Sequence, residues 1–253
     1  MAIFKTNNPI LTDKAYQKSL DVYDSGVVKM TARGTLNKFF LLSLLVMATA
    51  SLTWSAVYQH VDVTGYIIGG AIGGFIIAIV LAFKPAWSPF LAPIYALLEG
   101  AFVGGVSAYL QYVFRDKMPG MIMQAVVITF GVVIAMFLLY RFRIIRVTET
   151  FKTIVFTATL GIVFFYLIAW GLSFAHIDIP FLHQGSTVGI LFSLFVIGLA
   201  SMNLVMAFDR VEQGVAMGAP KYMEWYSAFG LVVVIVWLYI EILNLLAKLN
   251  SRN

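Results

Sequence analysis

Cysteine is absent from this chain of 253 residues, and charged side chains account for only 11% of it. Without cysteine there are no disulfide bonds and no thiol chemistry, although this absence does not identify a compartment. The scarcity of charge excludes an ordinary soluble domain, in which about a quarter of the residues are charged. The sequence also lacks HExxH, GxSxG and phosphate-binding-loop motifs, so we expect neither an enzyme nor a resident cofactor.

Long apolar runs dominate instead, since 61% of the residues are hydrophobic. A run of about 20 such residues can cross the hydrocarbon core as a helix, which satisfies its own backbone polar groups. The sequence therefore predicts an all-α, polytopic membrane protein with seven transmembrane helices. The predicted spans are Phe39–Tyr58, Val63–Phe83, Trp87–Val113, Met121–Tyr140, Thr153–Phe174, Thr187–Phe208 and Tyr226–Leu249.

The distribution of lysine and arginine predicts the orientation. Residues 1–38 form a polar N-terminal arm, and residues 39–253 form one transmembrane domain. With the arm in the cytoplasm, 13 of the 17 basic residues fall in cytoplasmic segments, as the positive-inside rule requires. The other four, among them Lys248, fall in outer segments. The net charge of +5 is then explained by an anionic inner leaflet, so the expected partner is the lipid bilayer and not a nucleic acid.

Two acids interrupt the apolar spans, Glu99 in the third and Glu241 in the seventh. An ionised carboxylate in hydrocarbon is costly, so such residues usually face a bundle interior or a water-filled path. Glu99 is about 18 Å and Glu241 about 22 Å from the predicted cytoplasmic helix ends. We predict a mid-membrane pair in which like charges keep one carboxyl protonated and whose oxygens suit calcium. The alternative is that each carboxyl is neutral and simply hydrogen-bonds a neighbour.

Six glycines lie at small-residue spacing in the second and third spans. Such spacing lets helix backbones approach closely in lipid, where apolar burial gives little drive for association. We therefore predict helix packing for all six and, beside Glu99, room for water or an ion to approach. They are Gly69, Gly70, Gly73, Gly74, Gly100 and Gly104.

Several other polar residues carry weaker signals. Asn203 lies in the sixth span, where an interhelical hydrogen bond is a commoner use of asparagine than ion binding. His60, His176 and His183 fall in predicted outer loops. They are read as interface residues, although a pH-responsive outer vestibule is the alternative, because imidazole titrates near neutral pH.

Three parts of the chain resemble the bacterial branch of the Bax inhibitor motif family of transmembrane proteins. They are MTARGTLNK at residues 30–38, YALLEGAFVGG at 95–105, and the closing region with FDRVEQG, GAPKYMEWYSAFG and WLYIEILNLL at 208–246. The resemblance implies seven helices with a central, acid-bearing last helix and a pH-dependent calcium leak. It also implies a bacterial inner membrane location. Some relatives in this family instead modulate other proteins, including a membrane protease.

The resemblance also implies a pH sensor made of two acids, one ending the sixth helix and one in the seventh. Asp209 matches the first position, and Glu241 matches the second with glutamate in place of the usual aspartate. Asp209 lies about 15 Å and Glu241 about 33 Å from the predicted turn, which opposes a direct contact between them and a catalytic dyad. We therefore place Asp209 at the cytoplasmic mouth, latched by Arg143 or Arg146, although these arginines can also serve as lipid-facing anchors.

Two functions from different classes follow. The first is a pH-dependent cation leak channel, here for calcium, that uses Glu99, Asp209 and Glu241. The alternative is a membrane-embedded regulator that binds another membrane protein, such as a quality-control protease, through its N-terminal arm. Deleting residues 1–30 distinguishes them, because a regulator should lose its effect and a pore should keep its flux.

The basic residues generate a test of topology. We expect the N-terminus in the cytoplasm and, after seven spans, the C-terminus outside. A reporter that is active only outside the cytoplasm, fused after Asn253, should be active. Activity of a cytoplasm-only reporter at that position would instead require an even number of spans.

Overall fold

The computed structural model describes residues 28–59, 61–174 and 185–251, which form seven long helices without a strand. Each helix is long and apolar enough to cross a membrane, which confirms the predicted fold class. The seventh is the most buried, with 61% of its apolar window inside the protein. The helices are α1 (Ala32–Tyr58), α2 (Thr64–Phe83), α3 (Ser88–Phe114), α4 (Met121–Arg141), α5 (Glu149–Phe174), α6 (Thr187–Ala216) and α7 (Met223–Ser251).

Two helices, α1 and α6, are longer than the apolar spans predicted from the sequence. The first helix begins at Ala32, seven residues before the predicted span and inside the segment assigned to the N-terminal arm. Its cap is Thr31, whose side chain accepts a hydrogen bond from the Gly34 N–H. The sixth helix likewise continues past Phe208 to Ala216, and Gly218 turns the chain with a φ of 70°. Residues 1–27 of the predicted arm lie outside the described residues.

The described residues fall into two compact units. The first consists of residues 28–110 and Met206–Val236, so it holds α1, α2, α3 up to Leu110, the C-terminal part of α6 and the N-terminal part of α7. The second consists of Gln111–Val205 and residues 237–251, so it holds the last turn of α3, all of α4 and α5, and the remaining parts of α6 and α7. Glu99 therefore belongs to the first unit and Glu241 to the second.

Two glycines let α3 approach α1 in the first unit. A Cβ placed on Gly100 would collide with the Thr49 side chain and the Val46 backbone. A Cβ placed on Gly104 would collide with the Ala50 backbone. Only a residue without a side chain allows this separation of the two backbones.

Three of the four glycines at positions 69–74 of α2 lie against α3, and the fourth has open space beside it. A Cβ on Gly70 would meet the Leu98 carbonyl of α3, and one on Gly73 would lie 2.9 Å from the Leu98 side chain. A Cβ on Gly74 would lie 3.0 Å from Oε2 of Glu99, so this glycine leaves space beside the carboxylate. At Gly69, by contrast, a Cβ would have no described atom within 4 Å.

A buried carboxylate joins the starts of α1 and α7. Glu224 Oε1 accepts hydrogen bonds from the Thr31 N–H at 2.9 Å, the Thr31 hydroxyl at 3.0 Å and Lys221 Nζ at 3.1 Å. Its Oε2 pairs with Lys38. The side chain has no exposed surface, so these donors compensate its charge inside the protein. A backbone bridge between Lys29 and Pro220 holds the same two segments together.

The glycine contacts predict unequal costs for one added methyl group. Gly104→Ala should lower stability by about 1–3 kcal/mol, because the Cβ overlaps backbone that cannot turn aside. Gly69→Ala is the matched control and should leave stability unchanged, because the Cβ enters open space. Thermal unfolding of both variants in detergent measures the difference, and equal midpoints would contradict the packing of α3 on α1.

The Glu224 contacts predict a second stability difference. Glu224→Ala should lower stability by about 2–4 kcal/mol, because it removes a buried acceptor that several donors share. Asp116→Ala is the control, since its carboxylate is 89% exposed and pairs with the neighbouring Arg115. A Glu224→Ala protein that unfolds at the same temperature as the control would refute this role.

Candidate functional site

Glu241 is a buried carboxylate in the second half of α7, with 4% of its surface exposed. Oε1 accepts a hydrogen bond from the Tyr166 hydroxyl at 2.9 Å and a longer one from the Trp237 indole N–H at 3.4 Å. Among the described residues, no hydrogen bond ends at Oε2. Both donors are neutral, so they orient the carboxylate without neutralising its charge.

An aromatic cluster between α5 and α6 holds the Tyr166 hydroxyl in place. The ring of Tyr166 meets that of Phe192 edge-on at 6.3 Å between centroids, and Phe165 contacts both rings. Such contacts fix the ring plane and hence the direction of its O–H. Trp237 lies one turn before Glu241 on the same face of α7.

Lys248 lies in the last turn of α7, which ends at Ser251. Its residue surface is only 6% exposed, and Nζ donates to Ser193 Oγ at 2.8 Å and to the Gly189 carbonyl at 3.2 Å. Lys248 follows Glu241 by seven residues, a spacing that returns to nearly the same helical face and that is visible in the sequence.

Asn203 makes an interhelical contact of the expected kind. Its side-chain amide donates to Thr159 Oγ1 of α5 at 2.8 Å and to the Leu199 carbonyl at 3.0 Å. The second unit therefore contains three polar contacts among α5, α6 and α7, centred on Asn203, Glu241 and Lys248. This concentration is what a bundle interior requires of polar groups in lipid.

Glu99 is half-buried in the first unit, at the centre of α3. Its carboxylate accepts a hydrogen bond from Tyr95, one turn earlier on the same helix, and Gly74 leaves space beside Oε2. Glu99 and Glu241 thus each have an aromatic hydroxyl as donor, within their own units. The proposed pairing of the two carboxylates stays a prediction.

Asp209 has a local partner on α6. Its Oδ2 accepts a hydrogen bond from the Gln213 side chain, one turn later, at 2.5 Å. Arg143 and Arg146 are exposed in the connection between α4 and α5, where Arg143 adopts a positive φ of 56°. The latch between these arginines and Asp209 stays a prediction.

Three histidines were predicted to lie in outer loops. His60, His176 and His183 lie outside the described residues. Of the acids that neighbour them in sequence, Asp62 is described, and its carboxylate accepts a hydrogen bond from the Thr64 N–H at 2.9 Å. Asp62 therefore acts locally at the start of α2.

Metal-ligating side chains were compared in the part of the chain that the structure describes. Within the described residues, no three side chains of histidine, cysteine, aspartate or glutamate converge as a metal site would require.

Comparisons with known proteins agree with the helical architecture. A search of curated proteins found no match to the chain, and a search of solved structures found none either. A family model described as Bax inhibitor 1 like matches residues 5–251, which is nearly the whole chain. This integral membrane protein, whose described residues include seven helices long enough to span a membrane, therefore belongs to the Bax inhibitor 1 like family.

Proposed function

We propose that this protein is a pH-dependent cation leak channel of the cell membrane, with calcium as the ion that it passes. The observation that carries the proposal is Glu241, a buried carboxylate whose two hydrogen bonds both come from neutral donors and end at one oxygen. A carboxylate of this kind in a membrane helix marks an ion or proton pathway by default. The family resemblance of the sequence favours calcium, which prefers oxygen ligands.

The chemistry follows from the two oxygens of Glu241. Tyr166 and Trp237 hold Oε1, which leaves Oε2 for a permeant cation or a proton. The ionised carboxylate attracts the cation, and a proton on the same group removes that attraction. Because proton and cation compete for one group, cation flux depends on pH.

The small number of carboxylate oxygens at Glu241 suits the passage of a cation and not its tight binding. One carboxylate offers few oxygens compared with the six to eight ligands of a tight calcium site, so the ion can leave as readily as it arrives. Glu99 provides a second intramembrane carboxylate in the first unit, again with a tyrosine donor. In this proposal both acids are points at which a cation replaces part of its hydration shell.

Neutralising Glu241 is the direct test. Glu241→Gln should lower calcium flux into proteoliposomes at least tenfold at every pH from 5 to 8, because the amide keeps the shape but lacks the charge. Tyr166→Phe should have a smaller effect in the same direction, because it removes one orienting hydrogen bond. Asp116→Asn, which neutralises an exposed acid, should match the parent.

The flux of the Glu241→Gln protein also distinguishes the leak channel from the regulator of another membrane protein. If the Glu241→Gln protein is folded and its calcium flux equals that of the parent across this pH range, the cation-leak proposal is wrong. The regulator of another membrane protein then becomes the better hypothesis. Circular dichroism and the elution volume in detergent establish that the variant is folded.

A further inference from the structure

A buried ammonium group occupies the C-terminal part of α7. Lys248 Nζ donates to Ser193 Oγ and to the Gly189 carbonyl, and only 6% of the residue is exposed. Both acceptors are neutral, so the hydrogen bonds satisfy the donors but leave the charge in place. Among the described residues no carboxylate lies within salt-bridge distance of Lys248. A charge placed this way within a membrane helix is a functional hypothesis by default.

Lys248 faces the same side of α7 as Glu241. Seven residues separate them, which corresponds to about 10 Å along the axis and to nearly the same angular position. Their charges are close enough to interact electrostatically. Phe192 connects the two sites, since its ring lies 6.3 Å from the Tyr166 ring and 6.0 Å from Lys248 Nζ. A cation moving along this face toward Glu241 from the C-terminal end would pass the ammonium group.

We propose that Lys248 is a tethered cation that restricts access to Glu241 and selects against divalent ions. This inference rests on the proposed function of Glu241. The ammonium repels any permeant cation, and the repulsion doubles for a divalent ion. Lys248 thereby keeps calcium flux at the level of a slow leak and lowers the preference for calcium over monovalent cations.

Lys152 offers a matched comparison within the same unit. It is also 6% exposed, at the start of α5, but its Nζ pairs with the Glu149 carboxylate at 3.0 Å. Its charge is therefore compensated by a carboxylate at contact distance, whereas Lys248 interacts with the opposite charge of Glu241 only from beyond salt-bridge distance. Removing either ammonium is the same chemical change, yet only Lys248 faces the side of α7 that carries Glu241.

The test uses the full chain in proteoliposomes and measures calcium flux and potassium flux separately. Lys248→Met removes the charge and keeps the apolar stem, so it should raise potassium flux about tenfold and calcium flux about a hundredfold. Lys248→Gln should act in the same direction while it retains a donor for Ser193. Lys248→Arg keeps the charge and should resemble the parent, as should the control Lys152→Met.

Three results would overturn the inference. The first is a folded Lys248→Met or Lys248→Gln protein with parental flux for both ions. The second is an equal rise for calcium and potassium, because loss of packing would not distinguish the two charges. The third is a Lys248→Arg protein as leaky as Lys248→Met, since the charge would then be irrelevant.

The two proposals fail in different ways. If Glu241→Gln lowers calcium flux but the neutral variants at Lys248 do not raise it, the leak channel stands and the role of Lys248 is refuted. If Glu241→Gln has no effect on flux, the proposed function itself fails, and the inference about Lys248 fails with it. A double variant, Glu241→Gln with Lys248→Met, should lose the rise in calcium flux, because the ion no longer has its carboxylate.

Discussion

A polar group inside a lipid-embedded bundle has to find its hydrogen-bond partner within the chain. This constraint determines the surroundings of the Glu241 carboxylate. Its carboxylate is buried on the most buried of the seven helices. Water is scarce there, so the orientation of the acid depends on donors such as Tyr166 and Trp237. The rings of Phe165 and Phe192 hold Tyr166 in turn, so the packing of α5 on α6 sets the direction of a hydrogen bond to α7.

A second buried acid, Glu224, lies at the N-terminal end of α7, where its partners are charged as well as neutral. Glu224 is fully buried, but its partners include Lys38 and Lys221 besides the cap of α1 at Thr31. Its charge is compensated, which makes it a structural tie. Two of the segments that carry the family resemblance, at residues 30–38 and 218–230, therefore meet in one network. This network joins the start of α1 to the start of α7.

The contrast between compensated and uncompensated charges separates structure from proposed function. Glu224 and Lys152 form salt bridges with partners of opposite charge, whereas Glu241 and Lys248 have neutral hydrogen-bond partners and interact with each other only from beyond salt-bridge distance. An acid attracts cations and an ammonium repels them, so the two on one face of α7 would make a pathway that admits ions slowly. In the proposed leak channel, the ammonium would offset the attraction that the acid exerts on a cation.

The seven spans and the acids within them could be predicted from the sequence, because hydropathy is a local property that lipid enforces on each segment. The helix ends could not be predicted in this way, since α1 begins at Ala32 with a polar cap that hydropathy does not register. The hydrogen-bond partners of the acids could not be predicted from the sequence either. Tyr166 lies 75 residues from Glu241, and Thr31 lies 193 residues from Glu224. Which residues meet across such separations depends on how the helices pack, and only the tertiary structure decides that.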